Sequence, residues 1–157
     1  MRSLKFRIVL LLAMGLPLGC GGEAGPGLPD LQVDDPWARA TPLIAEGAGG
    51  GTNSAVYLLL RNRGVVADRL LGAETPVSEA AELHESRLED GVMRMRRVED
   101  LVVPSGGEIA LRPGGYHLML LNLHQPLTAG DTVTLFLEFE QSGPMEVLVQ
   151  VRPVGGA

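Results

Sequence analysis

Apolar and polar residues alternate over many short segments of this 157-residue chain. The alternation is clearest in residues 132–139 and 145–151, and a period of two is typical of strands with one buried face. Residues 54–61 form a continuous apolar run, which suits a strand buried on both faces. Further strands are predicted at residues 31–41, 68–73, 80–88, 92–98, 101–103, 108–111 and 116–122. About eight to nine short strands, with regular turn signals between them, indicate an all-β sandwich.

One hairpin is marked by its turn. Asp90-Gly91 stands between two strand-like runs, and this dipeptide favours a two-residue β-turn. With these two residues as the loop, Ser86 faces Met95 across the hairpin. His84 then lies diagonally from Met95 on the same face.

The N-terminal region has a different pattern. Basic residues precede an apolar run at 8–18, which predicts a signal peptide over residues 1–19. Cys20, the only cysteine, stands where a lipoprotein signal would be cut and the new terminus acylated. An ordinary exported chain cleaved nearby is the alternative. If Cys20 is acylated, residues 20–30 are a lipid-attachment cysteine followed by a flexible tether. Residues 31–154 are the folded domain in either case.

The charge balance excludes some partners. The whole chain carries a net charge of −6, and loss of the three basic residues of the signal leaves ten basic against nineteen acidic residues, or −9. Such an acidic chain is a poor partner for nucleic acid or for anionic lipid surfaces. With one cysteine there is no internal disulfide framework.

Two histidines and two methionines carry the candidate chemistry, in the spacing His84-x10-Met95-x21-His117-x-Met119. His117 and Met119 are two apart in a predicted strand, so their side chains project from one face. Thioether sulfur is a soft ligand that suits Cu(I), and neutral imidazole serves many borderline metals. The set therefore predicts a Cu(I) site without thiolate. The four-residue set contains no carboxylate, and the nearby acids, expected as outer or solvated groups, are Glu85, Glu89 and Asp90.

Three other residues are less strongly indicated as parts of the site. Met93 has the right parity to share the face of Met95, so it is a possible auxiliary ligand. His124 lies beyond the predicted strand and is expected in solvent. Trp37, the only tryptophan, is expected to fill the core, with a role near the metal as the alternative.

Enzymatic motifs are missing from the sequence. No serine lies in a Gly-x-Ser-x-Gly elbow, and no acid is expected to orient the imidazole of His84. The glycine-rich residues 42–53 lack the Gly-Lys-Ser/Thr end of a phosphate-binding loop. A blue-copper centre needs a cysteine thiolate, and Cys20 is at the wrong end of the chain. The chain is therefore predicted not to be an enzyme.

The ligand spacing and three further motifs resemble the periplasmic copper chaperones of the PCu(A)C family. The similarity covers residues 31–153. The further motifs are Asp35-Pro-Trp-Ala-Arg-Ala-Thr-Pro, Pro104-Ser-Gly-Gly and Arg112-Pro-Gly-Gly-Tyr-His-Leu-Met.

The resemblance implies a fold, a cargo and a partner. The fold would be a cupredoxin-like β-sandwich that binds one Cu(I) through His84, Met95, His117 and Met119. The protein would be periplasmic, held to a membrane by its lipid, and would pass copper by ligand exchange to an acceptor. That acceptor would be the Cu(A) site of cytochrome c oxidase or an assembly factor of the oxidase. Two alternatives stay open: a periplasmic copper storage or tolerance protein, and a β-sandwich interaction lipoprotein without a metal function.

Overall fold

The computed structural model describes residues 27–41 and 52–153. These residues form ten β-strands, and within them there is no helix long and apolar enough to cross a membrane. The strands are β1 (Leu31–Arg39), β2 (Ser54–Asn62), β3 (Asp68–Glu74), β4 (Ser78–Glu89), β5 (Val92–Arg97), β6 (Leu101–Val103), β7 (Glu108–Leu111), β8 (Tyr116–Leu123), β9 (Thr132–Phe139) and β10 (Gly143–Arg152). The all-β prediction is confirmed. The strands outnumber the predicted eight to nine because β6 and β7, of three and four residues, both pair as separate strands.

The sheet closes on itself. Its strand order is β5-β4-β8-β7-β2-β1-β10-β9-β3-β6, and β3 also pairs with β4 while β2 also pairs with β8. Because β3 lies near one end of this order and β4 near the other, the β3–β4 pair at Ala73 and Ala81 wraps the sheet around an enclosed core. Leucine and valine side chains fill that core.

β2 runs through the middle of the molecule and is covered on both faces, as its apolar run predicts. Val56 and Leu60 are fully buried in the core. Ala55 and Tyr57 point to the other face of the sheet, where they are also buried. This second, outer face of β2 is covered by side chains from β1 and β8, and it carries the candidate site.

Several predicted features lie outside the described residues: the signal peptide 1–19, Cys20, most of the tether, and most of the glycine-rich loop. The last tether residues are described, and they lie against the turn after β2. The backbone N–H of Asp30 donates to Oδ1 of Asn62, and the N–H of Arg63 donates to the carbonyl oxygen of Asp30. A Cβ at Gly64 would lie 2.6 Å from the nitrogen of Asp30, so only glycine allows this approach.

Candidate metal centre

The hairpin of β4 and β5 has the predicted turn and register. Asp90 and Gly91 have φ angles of 52° and 78°, both left-handed, which is the conformation of a tight two-residue hairpin turn. Ser86 pairs with Met95, as predicted. Every residue of β5 is exposed, and the Met93 and Met95 side chains are 57% and 52% exposed on the face that they share with His84.

β8 lies on the other side of β4 and brings the two histidines together. His84 and His117 are directly opposite in the antiparallel pairing, with their ring centroids 5.9 Å apart. Met119 is two residues further along the same face of β8, next to Ala55 of β2. His117 is only 3% exposed, because β8 is flanked by both β4 and β2.

A pocket of about 260 Å³ opens on this outer face of the sheet. Three of the four predicted ligands line it, and so does the predicted auxiliary residue Met93. The lining residues that matter here are Arg39, Ala55, Tyr57, Met93, Met95, His117 and Met119. His84 is not part of the wall; its ring lies beside that of His117 at the pocket's edge.

The hydrogen bonds of His117 define which of its nitrogens is free. Its Nδ1 lies 3.0 Å from the carbonyl oxygen of Gly115, which can only accept, so Nδ1 carries the proton and Nε2 is left as the lone-pair donor. Burial lowers the pKa of His117 below its usual value, against the opposing effect of the Gly115 bond. The charges of His84 and Arg39 lower the pKa of His117 further. The imidazole is therefore held neutral, the state in which it can bind a metal.

His84 is oriented by an acid that the sequence pattern did not reveal. Its Nε2 lies 2.9 Å from Oε2 of Glu82, and Oε1 of Glu82 accepts a 2.8 Å bond from Arg97. The carboxylate therefore fixes the proton of His84 on Nε2. The other nitrogen, Nδ1, is buried and has no hydrogen-bond partner among the described residues. A carboxylate on one nitrogen and a free lone pair on the other is the arrangement in which metal-binding histidines are usually held.

The expectation that no acid orients His84 is therefore wrong. Glu82 is two residues before His84, so the two share one face of the strand, and that spacing was the available signal. The acid at 85, one of those predicted to lie close to the site, is on the opposite face of the hairpin. There its buried carboxylate accepts bonds from Arg87 and Arg96 at 2.6 and 2.7 Å. Burial raises the pKa of Glu85, but these two guanidinium groups outweigh that effect and lower it overall.

A row of rings crosses the sheet beside the pocket. Trp37 lies on Tyr57 with centroids 4.5 Å apart, and Tyr57 lies 6.3 Å from His117. The prediction that Trp37 fills the core is wrong: it is half-buried on the outer face, with the guanidinium of Arg152 5.5 Å from its ring centroid. The reason is strand pairing, since Trp37 is directly opposite Tyr57 and Ala38 takes the inward position.

Two further observations concern other possible metal ligands. His124 is exposed in the loop after β8, as predicted. In residues 27–41 and 52–153 there is no group of three or more His, Cys, Asp or Glu side chains that could hold a metal ion together.

Sequence comparisons place the chain among lipoprotein-like proteins. The family model described as LpqE-like, "Putative lipoprotein LpqE-like", matches residues 31–151. A protein of Leifsonia xyli subsp. xyli named "Putative lipoprotein Lxx21020" is 30% identical over 164 residues, which cover 99% of this chain and 93% of that protein.

Solved structures show the same fold. The copper-bound PCuAC domain from PmoF2 matches with a TM-score of 0.62 at 22% identity, over 78% of this chain and 92% of that domain. The solution structure of CuI-DR1885 from Deinococcus radiodurans matches with a TM-score of 0.56 at 27% identity, over 76% of this chain and 78% of that one. The resemblance to the PCu(A)C family that the motifs predicted is thereby confirmed.

Proposed function

Because the chain belongs to the LpqE-like lipoprotein family and has the fold of PCuAC domains, we propose that it is a copper carrier rather than an enzyme. Its cargo is one Cu(I), bound by the two histidines and two methionines named from the sequence. The similar structures support this cargo, since one is a copper-bound PCuAC domain and another is a CuI-bound protein.

The observation that carries the proposal is the free Nδ1 of His84. A buried nitrogen without a hydrogen bond costs free energy, and a bound metal ion would remove that cost. It lies beside His117, whose Nε2 is also left free by its bond to Gly115. Met95 and Met119 line the adjoining pocket together with His117, which supports their assignment as the soft sulfur ligands of the same ion.

The donor set also suits a carrier that must release its cargo. All four proposed ligands are neutral, so none adds the strong charge attraction that a thiolate would. Thioethers and imidazoles do not form disulfides, which favours their use in an oxidising compartment. Met95 is half-exposed, so an incoming ligand could replace it first and the deeper donors afterwards. Ligand exchange of this kind needs no redox step.

We propose that the acceptor is another exported copper protein, with the Cu(A) site of cytochrome c oxidase or an oxidase assembly factor as the expected partner. We further propose that the chain is exported to the periplasm and anchored by a lipid on Cys20. The names of the matched family and of the Leifsonia relative support such an anchor. Labelling of the exported chain with a radioactive fatty acid, and its loss in Cys20→Ser, would test it.

An anaerobic Cu(I) titration against a chromophoric chelator tests the site. The exported chain would carry Cys20→Ser so that its thiol does not compete. Met95→Leu with Met119→Leu removes both sulfurs while keeping the side-chain volume. Met145→Leu is the matched control, because this methionine packs against the core near the start of β10 and does not line the pocket.

One tight Cu(I) per chain is expected in the parent and the control, weakened by about 100-fold or more in the double variant. Circular dichroism should show the same fold for all three proteins. A folded parent that cannot compete for Cu(I) would contradict the proposal and favour the interaction lipoprotein.

A further inference from the structure

Arg39 occupies an unusual position for a metal-binding pocket. It is the last residue of β1, and its guanidinium is part of the wall that also holds His117 and Met119. Nη2 of Arg39 donates a 3.2 Å hydrogen bond to the hydroxyl of Tyr57, and its Cζ lies 5.9 Å from the centroid of that ring. These two contacts fix the cationic group on the pocket side of the sheet.

The strand register explains how the arginine reaches the site. Ala38 pairs with Val56, so Arg39 is the next residue along β1, beside Ala55 of β2. Ala55 in turn pairs with Met119 of β8. Two strand spacings of about 4.8 Å therefore separate the backbones of Arg39 and Met119. The small side chain at Ala55 leaves the space between them open as pocket.

The charge of Arg39 is not neutralised by a carboxylate among the described residues. Its parallel neighbour in the sheet, Arg152, differs, because Asp35 accepts hydrogen bonds from both of its terminal nitrogens. Arg97, which is opposite His84, is likewise paired, with Glu82. Arg39 is thus a cation that faces the proposed cation site without an acid of its own in the described part of the chain.

We propose that Arg39 is a charge filter that makes the pocket selective for a monovalent soft cation over divalent ions. This inference rests on the proposed copper site. Coulomb repulsion is proportional to the charge of the bound ion, so the arginine weakens the binding of Cu(II) or Zn(II) by twice the free energy that it costs Cu(I). The fold-decrease in affinity that Arg39 causes for a divalent ion is therefore the square of the fold-decrease for a monovalent ion.

The repulsion serves a carrier in two ways. Imidazole ligands bind Cu(II) and Zn(II) well, so the donor set alone would not exclude them. The repulsion also keeps Cu(I) from binding so tightly that it cannot be passed on.

The test measures dissociation constants for Cu(I), Cu(II) and Zn(II) in four proteins, each by competition with a chelator of known affinity. These are the Cys20→Ser chain, the same chain with Arg39→Gln, the same chain with Arg39→Lys, and the same chain with Arg63→Gln. Arg63 is an exposed arginine in the turn after β2, so its variant removes the same charge away from the pocket.

Arg39→Gln should tighten Cu(I) binding by about three- to ten-fold and Cu(II) and Zn(II) binding by about ten- to 100-fold. Arg39→Lys keeps the charge and should stay within about three-fold of the parent for every ion, as should Arg63→Gln. Raising the salt concentration should reduce the difference between parent and Arg39→Gln.

Equal changes for monovalent and divalent ions would overturn the inference, since a merely structural role of Arg39 moves all ions alike. Weaker binding of Cu(II) and Zn(II) in Arg39→Gln would also overturn it. A parent chain that binds no Cu(I) would instead remove the proposed function, and this inference with it.

Discussion

The two strands that supply the proposed ligands on either side of β4 are held very differently. β8 pairs with β4 on one side and with β2 on the other, and it buries His117 to 3% exposure. β5 is the outermost strand of the sheet, pairs only with β4, and leaves Met95 52% exposed. One side of the pocket therefore belongs to a strand that is paired on both sides, and the other side belongs to the edge strand of the hairpin.

The difference assigns different tasks to the two sides. The proposed ligands on β8 are held in place by strand pairing on both sides, so copper binding would cost little further ordering. Met95 on the edge strand is half-exposed, so it is the proposed donor that an acceptor would displace first. A carrier needs both properties, because it must hold its cargo and then give it up.

Substitution of the buried His117 is expected to have the largest effect on Cu(I) binding and on stability. His117→Ala should weaken Cu(I) binding by about 100-fold or more and lower the free energy of unfolding by about 1–3 kcal/mol, since it removes a buried ring from the wall of β8. Met95→Ala should weaken binding as well but leave the stability unchanged within about 0.5 kcal/mol, because its side chain is half in solvent. Urea unfolding of the copper-free proteins measures the stability of both variants. Equal losses of stability would contradict the difference between the two strands.

Removal of the acid that orients His84 should come next. Glu82→Ala takes away the carboxylate 2.9 Å from Nε2 and should weaken Cu(I) binding by about ten-fold. Glu79→Ala is the matched control, because this exposed glutamate of the same strand bonds to Asn122 instead. A chelator competition that gives the same affinity for both variants would exclude Glu82 from the site.

Lowering the pH should have a smaller effect on Cu(I) binding. The lowered pKa of His117 means that its imidazole stays neutral to a lower pH than the usual value of about 6.5. Protonation of His117 competes with the metal only below that lowered pKa, so the affinity for Cu(I) should fall as the pH is lowered from 7.5 to 5, with the loss due to His117 at a lower pH than for an ordinary imidazole. Competition titrations between pH 7.5 and pH 5 measure whether the Cu(I) affinity falls as the pH is lowered. An affinity unchanged down to pH 5 would contradict imidazole ligation.

The smallest effect should come from the auxiliary methionine. Met93 lies on the pocket wall but two residue pairs nearer the hairpin turn than Met95, opposite Leu88 rather than Ser86. Met93→Leu should change the Cu(I) affinity by less than about three-fold. A loss as large as that of Met95→Leu, measured by the same competition, would show that the edge strand supplies two donors.

Much of this architecture could be predicted from the sequence. The hydrophobic pattern and the turn signals located the strand segments to within a few residues, although the predicted number was about eight to nine, and Asp90-Gly91 fixed the hairpin register that places Met95 opposite Ser86. One error shows what the pattern of a single strand does not contain. Trp37 was expected in the core because a lone tryptophan is usually buried, yet its face depended on which strand lay beside β1.

The sequence by itself determined the features that depend on neighbouring residues: strand positions, the turn, and the shared face of His117 and Met119. Only the tertiary structure decided which groups meet across strands that are distant in the chain. It placed Arg39 and Tyr57 beside the pocket, because β1 and β2 pair and β2 also pairs with β8. Local periodicity records which way a side chain points from its own strand, whereas strand order, which the closure of the barrel sets, decides what that side chain faces.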